Sequence, residues 1–429
     1  MTYRRTTPLD LVAATLHEEG ELRARARELG VVRRQGKLDV YALLVCFILG
    51  VSARGTAAMA QCGHLLAELT GTRFARSSIW ARFSPAFSKL VQSVLDEQIL
   101  RARRAPRELP RPLRQFRDVV SVDATVVKVD DQLAPIWKGT RTHTARAALK
   151  VHTQVRALTG ELLKYTITPD AHGDSRALKV SHDLRGRLLL LDKAYSSPSL
   201  WRRIESVGGY FLTRLPKDRD PVLVEVLRRC RGRAKKLEGR SLREALAGLQ
   251  RQVVDVTGTF RCRVRKYGTP TNRWTEETFR LVAIRDRRGH YEVFATNASP
   301  EMLDAELVPR TYRLRWEVET FYKTAKSGCG LHELPSRQKH VVEAFVYASL
   351  LRATMCMQAL GALREEVADV LGLRINPGQW VRWWRREVYR LLEDLLADRH
   401  RLSLLDLVLL LHDPNVGRCP NRAWFRDQL

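Results

Sequence analysis

The sequence predicts an α/β fold, a mixed sheet flanked by helical regions at both ends of the chain and interrupted by a β-strand insertion. Three observations lead there. Apolar residues recur with helical period up to about residue 112. From Val119 the pattern changes to β-branched runs separated by short helical stretches. A second group of strand-like runs, between Pro216 and Thr296, then delays the next amphipathic helix.

In the first region the periodicity predicts helices over Leu38–Leu49, Thr56–Leu69 and Ser78–Leu100, with Thr70-Gly71-Thr72 as a stop and Ser77-Ser78 as a start. Thr56–Phe83 then reads as a helix-turn-helix, a pairing that any helical bundle also contains. Arg104–Arg114, rich in proline and arginine, reads as a linker. Strands follow at Val119–Val129, Ala147–Val155 and Leu162–Thr168, with Thr159-Gly160 as a turn. A helix over Asp174–Leu184 leads to a buried strand, Arg187–Asp192, then a helix at Ser199–Val207 and a strand at Gly209–Leu215. That order gives an α/β block with a mixed sheet.

The insertion, at about residues 216–298, is expected to hold a basic helical piece over Val222–Leu249 and strands at Gln252–Tyr267, Glu277–Arg285 and His290–Thr296. The expected domains are a helical, DNA-binding unit at 1–112, the α/β unit at 113–339 and a helical region at 340–429. In the last, Trp380, Trp383 and Trp384 alternate with Arg382, Arg385 and Arg386, a pattern of dimer contact, DNA contact or helix packing with arginine stems on apolar surface.

Charge narrows the partner. Lys and Arg number 74 against 47 Asp and Glu, a net charge of +27 spread over all 429 residues, which favours a polyanion. No apolar run approaches the roughly 20 residues that span a bilayer, and no signal-like segment opens the chain, so no membrane partner is expected. The seven cysteines show no CxxC pair, and most read as small buried apolar residues of a reducing compartment.

The chemistry concentrates in acids. Asp123 stands in a valine-rich strand, where an unpaired charge is costly to bury, and Asp192 closes a run of four leucines. Tyr312–Lys326 reads as one amphipathic helix. At roughly 100° per residue, Tyr312, Arg315, Glu319, Lys323 and Lys326 share a polar stripe, opposite Leu314, Val318, Phe321 and Ala325. Such a stripe is either a solvated face or a carboxylate among cations suited to a phosphodiester near a metal ion. Glu317 falls on another face and reads as solvated. If the strands of Asp123 and Asp192 are neighbours, the two acids share a divalent cation and Glu319 completes the cluster. Asp174 reads as a helix cap or structural acid and His172 as a loop residue.

These residues carry a resemblance. Asp123 in its valine strand, Asp192 in Leu-Leu-Leu-Leu-Asp-Lys-Ala-Tyr-Ser-Ser, and the spacing Tyr-x-x-Arg-x-x-x-Glu-x-x-x-x-x-x-Lys at Tyr312, Arg315, Glu319 and Lys326 resemble a DDE transposase of the insertion-sequence-four family over about Val119–Arg337. Lys193-Ala194-Tyr195 departs from relatives that carry glycine after the second acid. The resemblance implies a ribonuclease-H-like core with a β-strand insertion between the second Asp and the Glu. It implies Asp123, Asp192 and Glu319 as catalytic ligands of two Mg²⁺ ions, for which Mn²⁺ can substitute. Tyr312, Arg315 and Lys326 would contact terminal DNA phosphates and Lys323 a phosphate more generally. Trp316 would lie near a flipped base, with Trp274 or Tyr291 as its stacking partner. The implied partners are duplex DNA, both element ends and target, and a second copy of the chain in a synaptic homodimer, in the nucleoid-associated cytoplasm of a bacterium. A nuclease on the same core and a non-catalytic DNA-binding descendant are the alternatives.

Overall fold

The computed structural model describes residues 16, 19–32, 38–50, 59–105, 108–140, 145–228, 236–266, 269–332, 334, 336–371 and 376–396. Among them the strands form one nine-stranded sheet. Three antiparallel strands open it: β1 (Asp118–Lys128), β2 (Ala148–Arg156) and β3 (Leu162–Pro169). After two short helical turns, β4 (Arg187–Leu191) returns parallel to β1, because a parallel neighbour requires a crossover. The helix Pro198–Ser206 then carries the chain to β5 (Tyr210–Arg214), parallel to β4. The spatial order β3-β2-β1-β4-β5 with these directions is the ribonuclease-H-like arrangement expected from the sequence.

The insertion does not form a separate body. Its strands β6 (Val222–Val226), β7 (Val253–Lys266) and β8 (Thr269–Arg285) join β9 (Tyr291–Thr296), and β9 pairs antiparallel with β5, so the insertion continues the core sheet. The helix expected over Val222–Leu249 is therefore corrected. Its start is β6, where Val222, Val224 and Val226 alternate with the buried Leu223, a period-2 pattern that β7 captures by pairing. Within that stretch the described helix is Leu242–Leu246, fixed by a Ser241/Glu244 capping box; residues 229–235 lie outside the described ones.

Three further helix boundaries change for local reasons. Asp174–Leu184 is helical only over Asp174–Ala177 and again for one tight turn at His182–Leu184, because Leu178 and Ser181 are extended and Leu178 is buried against the sheet. Gly173, not Asp174, occupies the cap position. Ser78–Leu100 is two helices, Arg76–Trp80 and Pro85–Arg104: the Ser84 hydroxyl accepts from Phe87 N at 3.4 Å and Pro85 sits where its missing N–H costs nothing. Leu38–Leu49 is an α-helix over Val40–Val45 that widens into a π-turn at Cys46–Gly50. The helix expected from Thr56 is described as Met59–Thr70; residues 51–58 lie outside the described ones.

One apolar core joins the helical regions at the two ends of the chain. Phe47 packs edge-on against Phe83, Phe87 and Phe345, with ring centroids 5.0–5.4 Å apart. The long helix Lys339–Leu371 lies along Pro85–Arg104, and its buried Arg352 donates to the carbonyls of Ile48 (2.7 Å) and Cys329 (2.6 Å). Trp380, Trp383 and Trp384 are buried, and Trp380 Nε1 donates to Cys356 O at 2.9 Å, so this tryptophan face packs inward. Cys46, Cys62, Cys329 and Cys356 are buried free thiols, whereas Cys262, on β7, is only half-buried; Cys230 and Cys419 lie outside the described residues. No described helix is long and apolar enough to cross a membrane.

Where the insertion meets the core, Arg280 and Asp255 form a bidentate pair (2.8 and 2.7 Å) with side chains only 4% and 3% exposed, and Arg280 also donates to Ala298 O and Leu303 O. Removing one partner strands a buried charge. Asp255→Ala is expected to cost about 3–5 kcal/mol in urea unfolding; a loss below about 1 kcal/mol would show that the junction does not depend on the pair.

Candidate active site

Register alone brings the two aspartates together. Val122 of β1 is paired with Leu191 of the parallel β4, so Asp123 and Asp192 are the next residues along adjacent strands. Asp192 thus stands just beyond the end of β4, where open α/β sheets gather ligands, and Asp123 lies beside it within β1. Asp123 is three-quarters buried, and Ala124 N donates to its Oδ1 at 2.8 Å. Burial pushes its carboxyl up to about 6; the nearby charges of Asp192 and Glu319 act in the same direction, against the Ala124 N–H and Arg315.

Glu319 arrives from a helix, but not from the single one expected. Leu307–Arg313 and Trp316–Lys323 are separate helices joined by a tight turn, in which Leu314 N bonds to Thr311 O (3.1 Å) and Arg315 N to Tyr312 O (3.0 Å). Ser121 Oγ donates to Leu314 O at 3.3 Å, tying that turn to β1. A π-turn, Thr324–Gly328, follows. The turn leaves Arg315 pointing at the acids. One guanidinium nitrogen lies 3.7 Å from Asp123 Oδ2 and another bonds to Glu319 Oε1. Glu319 is thus within one side chain of Asp123, and a fixed positive charge bridges them.

The rest of the stripe faces the same strands. The Tyr312 hydroxyl donates to Leu191 O at 3.3 Å, its ring packs edge-on against Phe294, and burial pushes its pKa up to about 12. Lys326 Nζ donates to Val126 O at 3.2 Å, and burial lowers its pKa. Lys323 is exposed and Trp316 half-buried. In this state, then, Tyr312, Arg315 and Lys326 hold protein groups. Glu317 corrects an expectation: it lies on another face than Glu319 but is half-buried, because that face of Trp316–Lys323 brings its carboxylate against the Gly160 turn between β2 and β3.

The two aromatics of the insertion separate. Tyr291 is a structural residue, since its hydroxyl donates to Arg251 O at 2.5 Å and its ring joins the core. Trp274 is 50% exposed on β8, with the guanidinium carbons of Arg261 and Arg263 at 4.9 and 5.3 Å from its ring. Sequence reasoning missed these arginines, though Arg-Cys-Arg in a strand places both on one face. Following the ladder, Ser121, Leu190, Leu212, Thr296, Arg280 and Thr257 are successive cross-strand partners and share a face. Alternation adds Asp123, Arg261, Arg263 and Trp274 to it. The acids and this basic aromatic patch occupy the same side of one sheet.

Asp170 and Asp174, the other acids near the core, are held by Lys150 at 3.6 and 3.1 Å, and Thr140 N donates to Asp170 at 3.0 Å. They serve as structural acids. Among the described residues no three Asp, Glu, His or Cys side chains stand close enough to hold a metal ion as they are. Asp123, Asp192 and Glu319 nonetheless present only hard carboxylate oxygens, the donor set that suits Mg²⁺ or Mn²⁺, around a position already served by a cation.

The family described as "Transposase DDE domain" matches the chain over residues 114–355, more than half of its length. Among curated proteins the chain is similar to the transposase for insertion sequence element IS231E of Bacillus thuringiensis subsp. finitimus, with 23% identity over 83% of this chain and 81% of that one. It is also similar to the IS231B transposase of Bacillus thuringiensis subsp. berliner, with 21% identity over 79% and 77%. Among solved structures, a piggyBac transposase synaptic complex with hairpin DNA aligns over 97% of this chain and 87% of that one, at 9% identity and a TM-score of 0.46.

Beside the acids, on the opposite sheet face, His152 is buried with Nε2 2.8 Å from Thr168 Oγ1, and burial lowers its pKa to about 4. An unfolded histidine takes its proton near pH ~6.5. Between those values the unfolded chain binds a proton that the folded chain refuses, so stability falls as pH drops from ~6.5 toward 4. In urea unfolding at a series of pH values, His152→Gln is expected to flatten this slope; an unchanged slope would mean that His152 is not its source.

Proposed function

We propose that this chain, which belongs to the transposase DDE domain family, cuts the ends of its own insertion element and joins the freed 3′ ends to target DNA with Asp123, Asp192 and Glu319 as the catalytic acids. One observation carries the assignment: the strand register that makes Asp123 and Asp192 neighbours and the Arg315 bridge that brings Glu319 to them. Spacing in the sequence leads to the same three residues.

Each residue then has a task. The three carboxylates would hold two divalent ions, Mg²⁺ or Mn²⁺, which when bound activate the attacking oxygen and stabilise the leaving one. In the first step water attacks the phosphodiester at the element end, the P–O3′ bond breaks and a 3′-hydroxyl leaves. In the second that 3′-hydroxyl loses its proton and attacks a target phosphodiester, whose own 3′-oxygen leaves. Arg315 neutralises Asp123 and Glu319 in the free protein, and a terminal phosphate would compete for its guanidinium, releasing both acids. Tyr312, Trp316, Lys323 and Lys326, spread over the two helices and the π-turn around Glu319, would contact the end DNA. Trp274 between Arg261 and Arg263 would stack a base and hold its phosphates on the same sheet face. A +27 chain binds any duplex to some degree, so specificity for terminal repeats must come from paired contacts of this kind, and the helix pair Met59–Thr70 and Arg76–Trp80 is a second candidate reader. Joining two ends calls for a homodimer that holds them together.

Cleavage of a duplex carrying the element's own end, with Mg²⁺, tests the reading. Asp192→Asn is expected to lower the rate by at least ~100-fold, the upper range for perturbing even an outer-shell group; equal cutting by both proteins overturns the site. Free 3′ ends that never join target DNA would indicate a nuclease, and no cutting a binding protein. Trp274→Ala is expected to weaken binding of the end duplex by ~1–3 kcal/mol at fixed salt. Unchanged affinity would remove Trp274 from the DNA path.

A further inference from the structure

Glu319 needs a fixed position, yet the helix that carries it has little of its own to fix it. Trp316–Lys323 is only eight residues long, entered through a tight turn and left through a π-turn, so its helical hydrogen bonding does not set where it lies on the sheet. Tyr322, one turn after Glu319 on the same face, is buried and belongs to no part of the Tyr-x-x-Arg signature. Its hydroxyl lies 2.8 Å from the carbonyl oxygen of Asp123 and 3.0 Å from that of Val151, and it accepts from Thr153 Oγ1 at 2.8 Å. Thr153 is the cross-strand partner of Asp123. The hydroxyl therefore joins the helix of Glu319 to the backbone of Asp123 itself and to the strand beside it.

A phenylalanine would fill nearly the same volume, so packing alone does not call for the oxygen. From this geometry we infer that Tyr322 is a positioning residue: its hydroxyl pins the Glu319 helix to β1 at Asp123 and sets the spacing of the two carboxylates that are to share a metal ion. Metal–ligand distances tolerate only about ±0.2 Å, so a small slip of the helix along the sheet is enough to spoil the pair. The inference rests on the proposed role of the three acids.

Mn²⁺ titrated into the full-length chain, with bound ion read by electron paramagnetic resonance, tests it. Glu319→Gln first defines the site by the affinity it removes. Tyr322→Phe is then expected to weaken the Mn²⁺ dissociation constant by ~10–100-fold, the range for groups that orient metal ligands. Thr153→Val should weaken it less, and it stands in should Tyr322→Phe fail to fold. Tyr291→Phe, which removes a partly buried hydroxyl–carbonyl bond in the insertion, away from the acids, is the control and should leave the affinity unchanged. If Glu319→Gln lowers affinity while Tyr322→Phe and Thr153→Val do not, the pin is wrong and the functional reading survives. If Tyr291→Phe weakens binding as much as Tyr322→Phe, the effect is general loosening and the pin is again wrong. If Glu319→Gln changes nothing, the assignment of the acids fails, and the pin with it.

Discussion

The arrangement turns on the ion pairs of Arg315 with Asp123 and Glu319. A ribonuclease-H-like sheet sets two aspartates side by side, Asp123 within β1 and Asp192 just past the end of the parallel β4, and a third carboxylate laid over them meets repulsion in a partly dry crevice. Without a cation the helix of Glu319 has an electrostatic reason to stay away. Arg315 supplies that cation from the tight turn at Leu314–Arg315, four residues before Glu319 and within reach of Asp123. A continuous helix would have placed the same residues on one stripe but would not have included this turn, which Ser121 ties to β1. In the reading proposed above, the guanidinium holds the acids in order until DNA and metal take over its charge.

The sheet carries the other half of the account. Because β6–β9 extend the core sheet, the parity of one ladder runs from Asp123 to Arg263 and Trp274 without a second domain to orient. The buried Arg280–Asp255 pair, bonded also to Ala298 O and Leu303 O, locks the point where insertion and core meet. Side chains along this face are thereby held at fixed spacing, which is what the proposed DNA contact requires.

What could be read in the sequence follows from how local its cause is. The strands β1 to β5 were legible because β-branched runs and leucine tracts bounded by turns have few alternatives. The three acids were legible because each breaks its local pattern: Asp123 among valines, Asp192 after leucines, Glu319 among cations. The helix expected over Val222–Leu249 failed because β6 exists through pairing with β7, a contact that is distant in sequence. Arg315's bridging role was missed because a 100° wheel cannot show the tight turn at Leu314–Arg315, and Glu317 was read as solvated because the surface it meets, the Gly160 turn, is distant in sequence. Tyr322 carried a faint signal, three residues after Glu319, but its partner is the backbone of a strand 199 residues away. Tyr291 and Trp274 were indistinguishable as aromatics until burial separated them.

Crystals of the full chain soaked in Mn²⁺, with data collected for anomalous scattering from manganese, show whether Asp123 and Asp192 share a metal ion. Density for manganese contacted by Asp123 and Asp192 is expected, with the Arg315 guanidinium drawn away from Asp123. Manganese density at Asp170 and Asp174 instead, or Arg315 still in place with none beside the two aspartates at saturating Mn²⁺, would contradict it.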